Sequence, residues 1–249
     1  MDEKPAANQY AEILVSKLEN ILNSQKSELE TVAQKLYGSL SLGKVWHLFG
    51  AGHSHMSVEE AFHRAGGLIP VNPWLESYLM PHAGPLRNGP LERLSGLAQI
   101  IFDIYKPQKG EVLTIISNSG INPTSVEMAD IAKKAGVATV AITNVEHSRL
   151  TPSRHSKGKK LFEVCDHVID TGGVKGDAAI RLPFLDVPVG PLSSILSSFI
   201  INSLVIRVCE LYSKNGLAAP VYLSANVPGG DERNRKLEER FKSRIMRLQ

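Results

Sequence analysis

Near-continuous apolar runs alternate along the chain with segments whose apolar positions recur every three to four residues. The runs lie at about residues 44–50, 68–71, 111–116, 138–143 and 164–170. Such runs are typical of strands buried on both faces, whereas a period of three to four residues predicts amphipathic helices. Strands that alternate with helices predict an α/β fold built on a parallel sheet that helices cover on both faces.

Two terminal segments carry apolar residues at helical spacing and predict helices outside this alternating pattern. A long amphipathic helix is expected over about residues 8–37, with its apolar stripe on the sheet or on a second subunit. Near the other end, Leu237, Phe241 and Ile245 are spaced by four residues. They predict a C-terminal helical extension over about residues 231–249.

The first strand of the pattern ends in a glycine turn. Gly50-Ala51-Gly52 follows the apolar run, and the next residues read as a helix with Ser54 at its N-cap. Unpaired N–H groups in the first turn of a helix form a site for an anion, typically a phosphate. Neither nucleotide motif fits, because His55 stands where the dinucleotide fingerprint needs its third glycine and the Gly-Lys-Ser/Thr of the P-loop is absent.

A second polar loop, SNSGINP over residues 117–123, follows the strand at 111–116 and leads into a helix from about Ser125. Sites in parallel α/β sheets lie at the carboxyl ends of the strands, where both loops fall. Hydroxyl and amide groups can hold a phosphate monoester there without a cationic side chain. The predicted binding residues are Gly52, His53, Ser54, Ser117, Asn118, Ser119, Gly120 and Asn122.

Length, charge and cysteine content restrict the class of protein. The 249 residues permit a single domain spanning 1–249, and the net charge of +3 comes entirely from the tail at 231–249. A nearly neutral body argues against a nucleic-acid partner. Cys165 and Cys209 lack metal-ligand spacing, which suggests reduced thiols in a cytoplasmic protein. No apolar run approaches the roughly 18 residues of a membrane span, so no membrane association is expected.

These residues resemble the sugar isomerase (SIS) domain over roughly residues 10–215. The resemblance rests on a glycine turn with a serine at a helix start, followed by a strand, Ser-x-Ser-Gly in the second loop, and a helix with Pro-x-x-x-Glu. Within that family, the first loop is most similar to phosphoheptose isomerase and its relatives. The resemblance implies a three-layer α/β/α sandwich with a five-stranded parallel sheet, a homodimer or tetramer, and a phosphorylated sugar as ligand. The residues that would hold the ligand match Ser54, Ser117, Ser119 and Asn122, the last standing where a threonine is usual.

Two departures from the family pattern affect the chemistry. Phosphoheptose isomerases place an essential glutamate ten residues beyond the serine, where this chain has Arg64. Glu60 lies one turn earlier on the same face and is the candidate replacement, although it could equally bridge Arg64 on the helix surface. The family histidine of the C-terminal helix is also missing from residues 192–213. A second group would then come from His55, Glu59, Glu76 or His82, of the same subunit or of a neighbouring one.

The sequence therefore leaves several functions open. An aldose–ketose isomerase needs one base and a second group that handles the oxygen proton, for which Glu60, Glu59 and His55 are the candidates. The alternatives are a sugar-phosphate sensor without turnover, or a lyase or etherase acting on a sugar phosphate. No cofactor is expected. The spacings among His53, His55 and His63 do not match a helical zinc pair and argue against a metal, although the resemblance leaves zinc open, since phosphoheptose isomerases sometimes bind it.

Overall fold

The computed structural model of the protein describes residues 4–249, and within that range its strands form two sheets. The strands are β1 (Trp46–Gly50), β2 (Val71–Trp74), β3 (Val112–Ile116), β4 (Ala138–Thr143), β5 (His167–Asp170), β6 (Ala178–Ile180) and β7 (Val189–Pro191). The larger sheet is entirely parallel, in the spatial order β2-β1-β3-β4-β5. Strands β6 and β7 form a separate antiparallel pair.

The helices precede, connect and follow these strands. They are α1 (Ala6–Ser24), α2 (Lys26–Leu40), α3 (Ser54–Ala61), α4 (Pro85–Glu92), α5 (Leu97–Tyr105), α6 (Pro123–Lys134), α7 (Val145–Leu150), α8 (Leu161–Val164), α9 (Ser193–Lys214) and α10 (Gly230–Glu238). Short 3-10 turns lie at Ser77–Leu79, Pro81–Ala83 and Met246–Leu248.

Each face of the large sheet is covered by its own set of helices. Side chains alternate across a strand, so Trp46 and Leu48 point into a core shared with α1, α2, α3 and α9. Phe49 and the β3 residues Leu113 and Ile115 point to the opposite face, where they pack with α5, α6 and α8. This arrangement confirms the predicted three-layer α/β/α sandwich with a five-stranded parallel sheet.

The single N-terminal helix predicted over about 8–37 is wrong, because two helices occupy that segment. They are separated at Gln25, whose backbone dihedrals (φ −104°, ψ 9°) leave the helical range. The Gln25 side chain reaches the sheet edge, where its Oε1 accepts a hydrogen bond of 3.1 Å from the backbone N–H of Asp170. The break therefore coincides with a tertiary contact that the helical period does not encode.

The C-terminal extension predicted as helix over about 231–249 is helical only in part. Helix α10 ends at Glu238, and the chain continues in turns to the 3-10 turn near its end. Phe241 and Ile245 are nevertheless buried, in a small core with Val45 and Tyr222. Spacing by four residues thus correctly indicated a shared buried side, although the backbone there is not a helix.

Other predicted boundaries shift by a few residues. The second strand is Val71–Trp74 rather than 68–71, and α4 and two 3-10 turns follow it before α5. Helix α3 begins at Ser54 with His53 at its N-cap, and no side-chain hydrogen bond caps it. Helix α6 begins at Pro123, because proline suits the first position of a helix.

Helix α9 corrects the expectation that no segment is long enough to cross a membrane. It has 22 residues and is, by length and composition alone, apolar enough to do so. In the structure, Leu196, Ile200, Leu204 and Val208 are fully buried in the core beneath the sheet. Burial in the protein therefore accounts for the apolar character of this side of the helix.

Candidate functional site

A polar cavity of about 300 Å³ lies at the carboxyl edge of the large sheet, where β1 and β3 end side by side. The register pairs Gly50 with Ile116, so the loops that follow the two strands start at the same level. In the sheet, β2 lies on one side of β1 and β3 lies on the other, so the direction of the strand order reverses between β1 and β3. Parallel α/β sheets bind their ligands at such a switch point. The cavity is lined by Ala51, Gly52, His53, Ser54, Ser57, Glu92, Ser117, Asn118, Ser119, Asn122, Arg154, Asp177, Ser193, Ser194 and Ser197.

The first loop depends on a close approach between β1 and the start of α3. A Cβ atom on Gly50 would lie 2.7 Å from the backbone oxygen of Ser54, which is closer than real Cβ contacts allow. Gly52 adopts φ +60°, in the left-handed region that favours glycine. The tight turn brings Gly52, His53 and Ser54 to the cavity wall, as the sequence predicted for this loop.

The second loop is held by hydrogen bonds from the neighbouring strand. The backbone N–H of Ser117 donates to Ile142, and Asn144 donates to the Asn118 carbonyl, each across 3.0–3.1 Å. Ser117, Asn118, Ser119 and Asn122 then line the cavity together with the first loop. Gly120 does not line it, but its φ of +60° lets the loop turn beneath them.

The N-termini of α3 and α6, which follow the two loops, face the cavity. Helices α3 and α6 follow the loops at the carboxyl ends of β1 and β3, and Ser54 and Asn122 lie at or beside the helix starts. At the start of α3 the first three N–H groups already donate to the carbonyls of residues 51–53, whereas the first N–H groups of α6 lack helical partners. Both helix dipoles add partial positive charge at these starts. The floor of the cavity therefore suits an anion, with hydroxyl groups of Ser54, Ser117 and Ser119 beside it.

The three predicted acid/base residues lie away from this wall of the cavity. The Glu60 carboxylate pairs with Arg64 and accepts a 3.0 Å hydrogen bond from Nδ2 of Asn202 on α9. Glu59 is about half exposed, and its Oε2 lies 3.9 Å from Nε2 of His55. None of Glu60, Glu59 and His55 is among the residues that line the cavity.

The His55 ring instead packs near the 75–83 segment. Its Nδ1 lies 2.5 Å from the Gly52 carbonyl oxygen, and its ring centroid is 6.0 Å from that of His82. Within residues 4–249, no three histidine, cysteine, aspartate or glutamate side chains converge as a metal site would require. Glu59, Glu60 and His55 thus make contacts with neighbouring protein groups, and their catalytic role stays a prediction.

Glu92 and Arg154 line the cavity although the sequence did not single out either as a site residue. Arg154 donates a hydrogen bond of 2.9 Å from Nη1 to Oδ1 of Asn122. Burial raises the pKa of the Glu92 carboxyl above its ordinary value, while the charges of Arg93 and Arg154 and the Asn122 amide act in the opposite direction. The only sequence signals were an arginine in a basic loop and a glutamate in a segment rich in Pro and Gly.

Asp177 is the second carboxylate of the cavity, and it caps helix α9. Its Oδ1 accepts hydrogen bonds from the backbone N–H groups of Leu192 and Ser193, at 3.1 and 2.8 Å. Its Oδ2 accepts a third, of 2.6 Å, from the Ser193 hydroxyl. The start of α9 is therefore already satisfied by a carboxylate of the protein. Ser194 and Ser197, one turn apart on α9, line the cavity next to it.

Comparisons with known proteins place these features in a family context. A model of the SIS domain matches residues 9–144. The UPF0309 protein of Geobacillus kaustophilus (strain HTA426) is 40% identical over 238 residues, which cover 96% of this chain and 95% of that protein. The UPF0309 protein of Caldanaerobacter subterraneus subsp. tengcongensis is 40% identical over 242 residues, covering 96% of this chain and 98% of its own.

Among solved structures, the phosphoheptose isomerase of Neisseria gonorrhoeae is similar in fold. It aligns with a TM-score of 0.53 and 14% sequence identity, covering 84% of this chain and 96% of the isomerase. At this level of identity the similarity concerns the arrangement of the strands and helices, and it does not extend to individual site residues.

Proposed function

The chain belongs to the SIS domain family, and on that premise we propose that its polar cavity binds a phosphorylated sugar. The observation that carries this proposal is the meeting of two serine-containing loops and two helix starts at one edge of the sheet. A volume of about 300 Å³ is at the lower end of small-molecule sites, which span about 300–1,000 Å³. The cavity thus suits a small, strongly polar ligand.

In the proposed complex, the phosphate binds to the loops that follow β1 and β3. The hydroxyl groups of Ser54, Ser117 and Ser119 and the free N–H groups at the start of α6 would donate to its oxygens, and the dipole of α3 would add partial positive charge. The start of α9 is a poorer alternative for the phosphate, because the Asp177 carboxylate already accepts its hydrogen bonds. Electrostatics therefore favours the orientation in which the phosphate faces the loops after β1 and β3 and the rest of the ligand faces α9.

The remaining wall suits the hydroxyl groups of the sugar. Ser194 and Ser197 of α9 can each donate or accept a hydrogen bond, as sugar hydroxyls can, while the Ser193 hydroxyl, which donates to Asp177, can only accept one. Apolar side chains are few among the lining residues, which argues against a lipid or aromatic ligand. The chemistry of the wall therefore supports a polyhydroxylated compound.

For the reaction, we propose the interconversion of an aldose phosphate and a ketose phosphate by proton transfer between adjacent carbons. Such a reaction needs a carboxylate or imidazole base near C1 and C2 and a donor that stabilises the enediolate oxygen. The cavity offers carboxylates and a guanidinium close to the phosphate loops. A lyase or etherase would use the same types of group and stays an alternative.

A sensor function has one specific observation in its favour. Glu60, the candidate replacement for the family glutamate, is paired with Arg64 and bonded to Asn202 instead of lining the cavity. If no other group moves the proton, the protein binds its ligand without turnover and transmits that state to a partner. The experiment must therefore measure binding and proton transfer separately.

Calorimetric titration with a panel of phosphorylated aldoses and ketoses tests the binding proposal. We expect at least one to bind at least tenfold more tightly than its unphosphorylated counterpart, because the loops recognise the phosphate. Equal affinity for both forms would contradict the proposal. Proton NMR in D2O on the bound sugar then measures exchange at C2, which an isomerase catalyses and a sensor does not.

We also propose that the protein self-associates through an apolar groove formed by α1, α2 and α9. Leu22, Leu29, Phe199 and Ile206 line this groove, which measures about 580 Å³, and Ile206 is 62% exposed. Its rim carries charges of both signs, as a surface must if it is to face its own copy across a two-fold axis. A dimer or tetramer in the cytoplasm is the proposed working form.

A further inference from the structure

We propose that Glu92, at the end of α4, is the carboxylate that moves the proton in this cavity, and that Arg154 stabilises the charge that forms on the sugar oxygen. This inference rests on the proposed function, because it requires a sugar phosphate in the cavity. It replaces the three residues that the sequence suggested, since Glu92 lines the cavity and they do not.

Glu92 is held in place by contacts between the 91–96 segment and α6. The Thr124 hydroxyl donates to the Leu91 carbonyl across 3.4 Å. On the other side, Glu127 of α6 accepts hydrogen bonds from the Ser95 hydroxyl at 2.5 Å and the Gly96 N–H at 2.8 Å. The carboxylate is therefore positioned over the start of the same helix whose first residues form the second loop.

The other carboxylates near the cavity are already engaged. Asp177 accepts three hydrogen bonds from the start of α9, so moving it would leave those donors unpaired. Glu60 is neutralised by Arg64. Glu92, in contrast, lines the cavity and faces the Asn122 amide and the charges of Arg93 and Arg154.

The electrostatic setting suits a group that accepts and returns a proton. Partial burial raises the pKa of Glu92, which brings it closer to neutral pH, where general acid/base catalysis is most effective. A phosphate in the neighbouring loops would raise this pKa further, because it adds negative charge. The remaining titratable residues that line the cavity are His53, Arg154 and Asp177.

The proposed reaction balances without any further reagent. The C2–H bond of the aldose breaks, its proton goes to the Glu92 carboxylate, and its electron pair forms the C1–C2 double bond. The carbonyl electron pair moves onto O1, where the Arg154 guanidinium stabilises the negative charge. The proton of the O2 hydroxyl then passes to O1, the C2–O2 carbonyl forms, and C1 takes the proton back from Glu92.

The test compares the wild-type protein with Glu92→Gln, with Glu146→Gln as the matched control. Glu146 is an exposed glutamate on α7, outside the cavity. For a sugar phosphate that the wild type binds, we expect Glu92→Gln to keep the calorimetric affinity within about threefold. We expect it to slow C2 exchange in D2O by at least about 100-fold, the usual scale of general acid/base catalysis. The control should match the wild type in both measurements.

Two further measurements separate proton transfer from a structural role. The rate of exchange in the wild type should fall as pH drops through the pKa of Glu92, and Glu92→Asp should restore part of the rate lost in Glu92→Gln. If Glu92→Gln does not fold, as judged by thermal denaturation, Glu92→Asp alone is compared with the wild type, and it should slow exchange without weakening binding.

Several outcomes would overturn the assignment. Unchanged exchange in Glu92→Gln, or loss of exchange and affinity together, would show that Glu92 is not the proton carrier. Binding without any exchange in the wild type would also overturn it, while leaving the proposed sugar-phosphate binding intact. If no phosphorylated sugar binds the wild type, both proposals fail.

Discussion

Arg154 and Asn122 are joined by a hydrogen bond of 2.9 Å between Nη1 and Oδ1, which ties the segment after α7 to the second loop of the cavity. Backbone contacts support the same junction, because the N–H of Arg154 donates to the Ile121 carbonyl across 3.0 Å. The guanidinium is thus the one cationic side chain among those lining the cavity in the described part of the chain.

Replacing Arg154 with alanine should weaken sugar-phosphate binding by about tenfold. The substitution removes the arginine of the cavity wall, whose positive charge attracts the anionic ligand, and the hydrogen bond that orients Asn122. Calorimetric titration measures the affinity, with Lys157→Ala as the control, since Lys157 is exposed and outside the cavity. Because Arg154 is itself exposed, the difference should shrink at high ionic strength. Equal affinities in the two variants would contradict the role given to Arg154.

Ser119→Ala should reduce the affinity for a sugar phosphate by about 10- to 100-fold. A hydrogen bond to a charged partner contributes about 1.5–3 kcal/mol, which corresponds to that range. Ser117→Ala should act in the same direction, although its Oγ also accepts a 3.2 Å hydrogen bond from the N–H of Gly120. Ser156→Ala, at an exposed position outside the cavity, is the control. Unchanged affinity in both loop variants would refute the assigned phosphate site.

Gly50→Ala should destabilise the protein by about 1–3 kcal/mol, the usual cost of forcing extra atoms into a packed site. The new Cβ would lie 2.7 Å from the Ser54 carbonyl oxygen, so α3 would have to move away from β1. Gly38→Ala is the matched control, because that glycine lies within α2 with open space around its Cβ position. It should stabilise the helix by about 0.5–1 kcal/mol. Urea unfolding measures the free energy of unfolding of both variants. Equal changes in the two would contradict the close contact between β1 and α3.

The buried group of His47, Glu111 and Arg244 should make stability depend on pH. Burial alone would raise the pKa of Glu111, but hydrogen bonds from His47, the Gln108 backbone and Arg244 outweigh it and lower that pKa to about 2. Burial also lowers the pKa of His47 below 6.5, and its Nδ1 accepts a 3.1 Å hydrogen bond from the Trp74 indole, as a neutral ring can.

Both shifts act in the same direction. Below pH 6.5 the unfolded chain protonates His47 while the folded chain does not, and between about pH 4.5 and 2 the same holds for Glu111. The free energy of unfolding should therefore fall as pH falls through both ranges. Urea unfolding should show Glu111→Gln less stable than the wild type at pH 7, with a difference that narrows below pH 4.5. A constant difference across that range would argue against a lowered pKa of Glu111.

Ile206→Glu should shift the protein toward the monomer in analytical ultracentrifugation. The substitution puts a charge into the apolar groove of α1, α2 and α9, where a second copy would otherwise bury Ile206. Leu42→Glu is the control, because Leu42 is similarly exposed but lies outside that groove. If both variants keep the sedimentation coefficient of the wild type, self-association does not use this surface.

The strand ends were predictable because each depends on short-range patterns. A continuous apolar run, a glycine turn and a helix start occupy fewer than fifteen residues, and the parallel sheet follows from their repetition. The two loops therefore meet at one edge, as predicted, and seven of the eight predicted binding residues line the cavity. Gly120 supports the loop from behind, where a Cβ would lie 3.0 Å from Thr143 Oγ1.

The acid/base candidates show where this reasoning stops. Glu60 was suggested from its position one turn before Arg64, but spacing on a helix does not indicate which face meets a ligand. In the structure that face contacts α9, where Asn202 donates to the Glu60 carboxylate. The position of the Glu60 carboxylate therefore depends on a helix about 140 residues further along the chain.

The sequence by itself determined the α/β sandwich, the common edge of the two loops and their suitability for an anion, because apolar period and turn chemistry act over a few neighbouring residues. Only the tertiary structure decided what closes the cavity. Glu92, Arg154 and Asp177 reach it from segments with no periodic signal, through packing between residues far apart in the chain. Such contacts depend on how whole helices pack against the sheet, which no local pattern specifies.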